Sequence, residues 1–213
     1  MSLFEFFSAP RGTEGNAFIN WANQPTKELV SYAATYRGAA MNLVAFREQR
    51  GLGSNDHAAL PILFLYRHSF ELYIKAIVFR AALLSVNEEE LALAIPRLWR
   101  EHSLVALASM AEPILDGTSR LLVASGDLKK KIFDLAAKID EFDAGSYSFR
   151  YPVTSRGHGS LPSAFFTNIF VFSAHIEEVL DDVAQFCRSL EEECIQSSPQ
   201  IKLALHSITR RVP

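Results

Sequence analysis

The stretch "LPILFLYRHSFELYIKAIVFR", residues 60–80, is apolar almost throughout but carries charged residues at its centre. If this stretch is helical, its apolar residues occur on all sides of the helix, which predicts a helix that is buried on most of its surface. Arg67, Glu71 and Lys75 are spaced i, i+4 and i+8, so they project from nearly one face, with His68 beside Glu71. We call Arg67, Glu71 and Lys75 the polar seam.

The polar seam needs a partner from elsewhere in the chain, because a buried charge without one costs several kcal/mol. Glu71 can pair with both Arg67 and Lys75, which lie one turn away on either side. One cation then remains in excess, so the sequence predicts an acidic partner on another element. The candidates just before a long loop are Asp140, Glu141 and Asp143.

Helical periodicity extends well beyond the seam, and no series of strands is evident. Apolar residues recur at helical spacing over about 26–50, 57–84, 104–115, 127–143 and 162–194. A short acidic helix, "SVNEEELALAI", is expected to end or kink at Pro96. The sequence therefore predicts an all-α fold, a helical bundle of four to five main helices.

The chain divides into an N-terminal arm (1–24), a single helical-bundle domain (25–196) and a C-terminal tail (197–213) whose alternating pattern suits a short edge strand. Before the last helix lies "AGSYSFRYPVTSRGHGSLP", which has no helical period. Loops of such length in compact domains are functional or disordered. Its aromatic residues favour order, so we predict a long ordered loop at a functional site.

Composition limits the function classes. The 213 residues are 49% hydrophobic, which is ample for a core, and the net charge of −3 provides no general basic field for nucleic acid or an anionic membrane. Any contact with RNA would need a local patch. No apolar run approaches the roughly 20 residues of a membrane span, and "MSLFEFFSAP" lacks the basic start of a secretion signal. We expect a cytoplasmic protein with no membrane contact, no cofactor and two reduced cysteines.

The candidate site lies where the long loop covers the polar seam, because arginine and histidine together can bind phosphate and transfer a proton. His158 and His68 are the acid–base candidates, and Arg150 and Arg67 are the candidate phosphate ligands. Without such a cleft, the seam would be an internal network of ion pairs that only fixes the helix register. Further candidate binding residues are Glu71, Lys75, His102, Arg156 and Tyr151.

A family resemblance rests on three segments in order, "FLYRHSFELYIKAI", "HSLVAL" and "IDEFDAGSYSFRYP", which together span about residues 60–155. The pattern resembles uncharacterised bacterial proteins related to the HEPN superfamily of helical bundles. The resemblance implies a dimer that acts as a metal-independent endoribonuclease, or binds RNA, in a toxin–antitoxin or phage-defence system. The superfamily signature is an arginine followed by a polar residue, with a histidine four to six residues beyond, near a helix start.

Several arginine–histidine pairs can be compared with this signature. Arg97 and His102 have the required spacing, as do Arg50 and His57. Arg150 and His158 are separated by seven residues, and Arg67 is followed directly by His68. The chemistry would use histidine to take the proton of the 2′-hydroxyl or to protonate the leaving oxygen.

Two other function classes remain open. His68 with Glu71, and His175 with Glu178, place a histidine and a glutamate one turn apart on two helices, as in a four-ligand metal site of a bundle. Alternatively, the protein is a non-catalytic dimeric interaction module. The apolar crowding of the last helix around Phe166 and Phe170 exceeds the need of one core face, and part of it would then bury against a second copy.

Overall fold

Helices make up most of the chain that the computed structural model describes, residues 28–50, 56–85, 95–118, 127–161 and 166–196. Within these ranges no β-strand forms, and Val153 and Gly159 make one isolated antiparallel bridge. Residues 95–100 are also helical. The predicted all-α bundle of four to five main helices is confirmed. The main helices are α1 (Leu29–Arg50), α2 (Asp56–Ser85), α3 (Leu104–Thr118), α4 (Leu128–Asp143) and α5 (Ile169–Gln196).

Helix α2 is the centre of the bundle. It packs against α1, α3 and α5, while α4 packs against α3 and α5. Every residue from 73 to 80 of α2 is buried, and such a run makes more than two helical turns, so it covers all sides of the helix. The apolar surface of residues 60–80 therefore meets neighbours on most sides, as its sequence predicts.

The predicted ranges of three helices, α2, α3 and α4, agree closely with the structure. Helix α2 begins and ends within a residue or two of the predicted 57–84, and α4 matches the predicted 127–143. Helix α3 continues through Pro113 to Thr118. Proline normally weakens a helix interior, since it lacks the N–H that would bond to the preceding turn; here the packing of α3 against α2 and α4 maintains the helix.

The start of the last helix was predicted wrongly. We expected a helix from about Pro162, but residues 166–168 are not helical and α5 begins at Ile169. Asn168 is the reason, because its Oδ1 accepts hydrogen bonds from the backbone N–H groups of Phe170 (3.0 Å) and Val171 (3.2 Å). This is an N-cap, which fixes the helix start.

Some predictions fall on other parts of the chain. The N-terminal arm (1–24), most of the acidic segment before Pro96 and the C-terminal tail (197–213) lie outside the described residues. Cys187 is a free, buried thiol whose pKa burial raises to about 12, in keeping with a reduced core cysteine. Among the helices described, none is long and apolar enough to cross a bilayer.

Candidate functional site

Arg67 is the most completely enclosed charge of the polar seam, with none of its side chain exposed. Each of its side-chain nitrogens has a protein acceptor. Nε donates to the backbone oxygen of Asp143 (3.0 Å), one Nη to Glu71 (2.6 Å), and the other Nη to the backbone oxygen of His102 (2.7 Å). Arg67 thereby joins α2 to the end of α4 and to the segment just before α3.

Glu71 receives three contacts from cationic or N–H groups. Its Oε2 accepts from Arg67, while its Oε1 accepts from Lys75 Nζ (2.8 Å) and lies 2.9 Å from His102 Nδ1. Burial by itself would raise the pKa of this carboxyl, but the hydrogen bond and charge of Lys75, together with the charge of Arg67, hold the pKa below its ordinary value. Glu71 is therefore an ionised carboxylate in the folded protein at neutral pH.

Asp143 is the outside acid that the charge count predicts. Its Oδ2 lies 3.1 Å from Arg67 Nε, although that N–H is directed at the backbone oxygen of the same residue. Its Oδ1 accepts from the backbone N–H groups of Tyr147 (2.5 Å) and Ser148 (2.6 Å). Asp143 thus neutralises the seam and anchors the first turn of the long loop to it.

His102 is the part of this network that reaches the surface, with its side chain 49% exposed. It precedes α3, and several contacts fix its backbone. Glu101 accepts from the N–H groups of His102 (3.0 Å) and Ser103 (2.9 Å), and Asp140 accepts from the Ser103 hydroxyl (2.8 Å) and from the N–H groups of Leu104 (3.1 Å) and Val105 (2.9 Å).

The tautomer of His102 follows from the charge of Glu71. An ionised carboxylate only accepts hydrogen bonds, so Nδ1 of the neutral imidazole must carry the hydrogen that faces Glu71. Nε2 then keeps its lone pair, on the side of the ring away from the carboxylate. A histidine oriented in this way by a carboxylate is the arrangement of a general base.

His68 lies beside the seam in an aromatic environment. Its ring meets Tyr36 edge to face (centroids 4.5 Å apart) and stacks on Phe64 (5.6 Å). Burial lowers the pKa of His68, and the charges of Arg67 and Arg150 lower it further, while Glu71 acts in the opposite direction. His68 therefore remains neutral in the fold around pH 7.

The long loop is ordered, as predicted, but only part of it approaches α2. Arg150 donates from Nε to the backbone oxygen of Ser146 (2.8 Å), and its guanidinium carbon lies 5.4 Å from the ring centre of Phe64. Ser146 has a left-handed φ of 56°, which turns the chain back after α4. Tyr151 is exposed and stacks on Tyr147.

His158 and Arg156 lie farther along the loop, and both are exposed. The backbone oxygen of His158 accepts from the N–H of Thr154 (2.7 Å), and the backbone N–H of His158 donates to the Thr154 hydroxyl (3.2 Å). Within the described part of the chain, no contact joins either residue to Arg67, Glu71 or His102. Their predicted roles stay predictions, whereas the structure brings Arg67, Glu71, Lys75 and His102 together.

The alternative metal site does not form among the described residues. They contain no group of three or more His, Cys, Asp or Glu side chains that could hold a metal ion. The His68 ring is enclosed by Tyr36 and Phe64, and Glu178 on α5 pairs with Lys131 at 2.8 Å. The two predicted His–Glu pairs therefore do not converge.

A separate apolar groove of about 460 Å³ lies between α2, α4 and the start of α5. Its rim carries Phe166, whose side chain is fully exposed, and Val171, which is 65% exposed. Phe142 and Phe149 also line it, while Lys138 and His175 are the titratable residues of its lining. The groove is not part of the seam, and the sequence indicates it only through the apolar crowding near Phe166.

From the sequence we predicted His102 as a binding residue and gave the acid–base role to His158 and His68. The signal for His102 was present in its spacing from Arg97 and in its position just before a helix. Comparison with known proteins adds no further guide, because no protein-family model, no curated protein and no solved structure matches this chain.

Proposed function

We propose that this protein is a metal-independent endoribonuclease in which His102 is the acid–base residue. The observation that carries the proposal is the contact between the half-exposed His102 ring and the buried, ionised Glu71, at 2.9 Å. The Arg97–His102 spacing and the position of His102 before α3 agree with the HEPN-like resemblance. A role in a cytoplasmic toxin–antitoxin or phage-defence system belongs to the same proposal.

The residues of the seam position His102 rather than contact the substrate. Arg67 is fully buried and all its nitrogens are directed at protein acceptors, so we assign it a positioning role instead of the predicted contact with phosphate. Glu71 and Lys75 are buried in the same way. Arg97 and Arg100 are exposed on the helical segment that leads to His102, and we propose them as the phosphate ligands.

The proposed reaction is an internal transesterification of RNA. His102 Nε2 takes the proton of the 2′-hydroxyl, the 2′ oxygen forms a bond to phosphorus, and the bond from phosphorus to the 5′ oxygen breaks. The departing 5′ oxygen takes a proton from solvent, and the imidazolium returns its proton to solvent. The products are a 2′,3′-cyclic phosphate and a 5′-hydroxyl, and no metal is needed because RNA supplies its own nucleophile.

Cleavage of labelled RNA in EDTA tests this proposal. We expect cleavage that His102→Ala reduces by roughly a hundredfold or more, the usual contribution of a general base. Glu71→Gln should shift the pH profile of cleavage, since it changes the group that orients the ring. His175→Ala, on the rim of the apolar groove, is the matched control. Failure of the wild type to cleave any RNA, or full activity of His102→Ala, would contradict the proposal.

A second candidate function, a dimeric interaction module, is favoured by the apolar groove. A fully exposed Phe166 beside a groove of about 460 Å³ is an apolar knob next to an apolar recess, which is the surface that a two-fold contact between copies needs. A homodimer through this surface is compatible with either function. His102 does not line the groove.

Light scattering distinguishes these possibilities. We expect a dimer that Phe166→Ser weakens, with Phe46→Ser as the control, because Phe46 is also an exposed aromatic residue but lies on α1. A strict monomer at high protein concentration would contradict the proposed dimer. A Phe166→Ser monomer that still cleaves RNA would show that the active site is complete within one chain.

A further inference from the structure

Six side chains form a continuous series of ring and cation contacts from α1 and α2 to the long loop. Tyr36 meets His68 at 4.5 Å, and His68 stacks on Phe64 at 5.6 Å. The Arg150 guanidinium lies 5.4 Å from Phe64 and 5.5 Å from Tyr151, and Tyr151 stacks on Tyr147 at 4.6 Å. We call Tyr36, His68, Phe64, Arg150, Tyr151 and Tyr147 the aromatic ladder.

The ladder is fixed at its loop end by the same residue that neutralises the seam. Asp143 Oδ1 accepts the backbone N–H of Tyr147, and its Oδ2 faces Arg67 at 3.1 Å. Arg150 is held by the backbone oxygen of Ser146. The position of the ladder relative to Glu71 is thus determined by contacts within the fold.

The outer part of the ladder is accessible. Tyr151 is 48% exposed and Arg150 is exposed. Nε and one Nη of Arg150 donate to the Ser146 oxygen. No carboxylate pairs with Arg150 among the described residues, so its other Nη is open to an anion from solution. Aromatic faces bind nucleobases by stacking, and a guanidinium binds phosphate through paired N–H groups. A flat ring joined to a phosphate therefore matches both groups.

Duplex RNA does not offer this match. Its base faces are stacked on one another, so only its phosphates could meet Arg150, whereas an unpaired nucleotide can place its base on Tyr151 as well. The ladder also leads inward to His68, which is one helical turn from Glu71, the partner of His102. A nucleotide on the ladder would therefore be bound on the seam side of the protein.

We propose that the aromatic ladder binds an unpaired nucleotide, with the base against Tyr151 and the phosphate at Arg150, and that it selects single-stranded RNA for the site at His102. The choice of RNA rests on the proposed function. The stacking itself does not, because it can be measured in protein that lacks the acid–base residue.

Fluorescence anisotropy tests the proposal in the His102→Ala protein, with a short labelled oligouridylate and a labelled blunt-ended RNA duplex as probes. We expect Tyr151→Ala to weaken binding of the oligouridylate about 5- to 150-fold, the range for loss of one stacked base. Tyr151→Phe should retain binding, and binding of the duplex should be unchanged by Tyr151→Ala. Phe46→Ala is the matched control, because Phe46 is an exposed ring under Arg50 (4.5 Å) on α1.

Three results would overturn the proposal: no binding of the oligouridylate, equal binding by Tyr151→Ala, or the same weakening for the duplex. Failure of the ladder proposal can be distinguished from failure of the proposed function. If binding of the oligouridylate depends on Tyr151 but the wild type cleaves no RNA, the ladder is supported and the nuclease is rejected. Cleavage that depends on His102 but is indifferent to Tyr151→Ala would do the reverse.

Discussion

The polar seam and a second charged cluster show how burial changes the meaning of similar ion pairs. In the second cluster Arg37 of α1 contacts Glu177 and, at 2.6 Å, Asp181 of α5. Its members are partly exposed, at 15% for Arg37 and 73% for Asp181, whereas Arg67 and Asp143 have no exposed side-chain surface. Solvent can replace a lost partner in the second cluster but not in the seam.

The clusters also differ in what they present to solvent. Arg37, Glu177 and Asp181 join α1 to α5 and include no histidine. In the seam, buried charges hold the half-exposed imidazole of His102. A buried network alone is compatible with a purely structural role, so the proposed chemistry depends on this surface histidine.

The largest expected effect is that of Arg67→Met. It leaves Asp143 without its cation and removes donors from two backbone oxygens, so we expect a loss of about 3–5 kcal/mol in the free energy of unfolding, measured by urea denaturation. Arg37→Met is the matched comparison, with an expected loss of about 1–2 kcal/mol. Equal losses would show that burial does not separate the two clusters.

The polar seam could be predicted from the sequence because its spacing is local. Residues i, i+4 and i+8 share a face in any α-helix, and the apolar surroundings of residues 60–80 indicate burial. The need for an outside acid follows from charge alone. The sequence could not choose Asp143 over Asp140, since that choice depends on how α4 crosses its neighbours.

The other predictions were limited because they depend on contacts between residues that are far apart in the sequence. The contact of His102 with Glu71 joins residues 31 apart, and it depends on the path of the chain between α2 and α3. On α1, Tyr32, Leu43 and Phe46 fit an apolar helical period but are exposed. Periodicity identifies a face, but the number of neighbours that cover it is set by the whole bundle.

A smaller effect is expected from Asp140→Ala, which bears on the position of His102. Asp140 accepts from two backbone N–H groups at the start of α3, so we expect a loss of about 1–2 kcal/mol, together with reduced RNA cleavage. Asn168→Ala removes the comparable cap of α5 and should cost about 1 kcal/mol without changing cleavage. Unchanged cleavage by Asp140→Ala would show that this cap does not position His102 for the reaction.

Acidification should lower the free energy of unfolding more in the wild type than in His68→Gln. Because burial depresses the pKa of folded His68, the unfolded chain binds a proton first as the pH falls through about 6.5, and stability falls with it. The stability that ionised Glu71 contributes is lost at lower pH, since its folded pKa is also depressed. Charges facing His68 are those of Glu71, Arg67, Arg150 and Lys75.

Urea denaturation between pH 7 and pH 5.5 checks this expectation. The decline in stability should be shallower for His68→Gln than for wild type, because the variant lacks the buried imidazole. His158→Gln, which changes an exposed histidine in the loop, should follow the wild type. An identical decline in all three proteins would show that His68 is protonated equally in the folded and unfolded states.

The smallest effect is expected where ion pairs are most accessible to solvent. Lys131 of α4 contacts Glu178 (2.8 Å) and Asp182 (2.9 Å) of α5, so by number of carboxylate partners it resembles Arg67. These contacts raise the pKa of Lys131, but the group is at the surface, where water and salt solvate all three charges if the contact is lost. We therefore expect Lys131→Met to leave the urea midpoint unchanged within error at moderate salt. A loss comparable to that of Arg67→Met would mean that the number of carboxylate partners, rather than burial, determines the contribution of charges in this bundle.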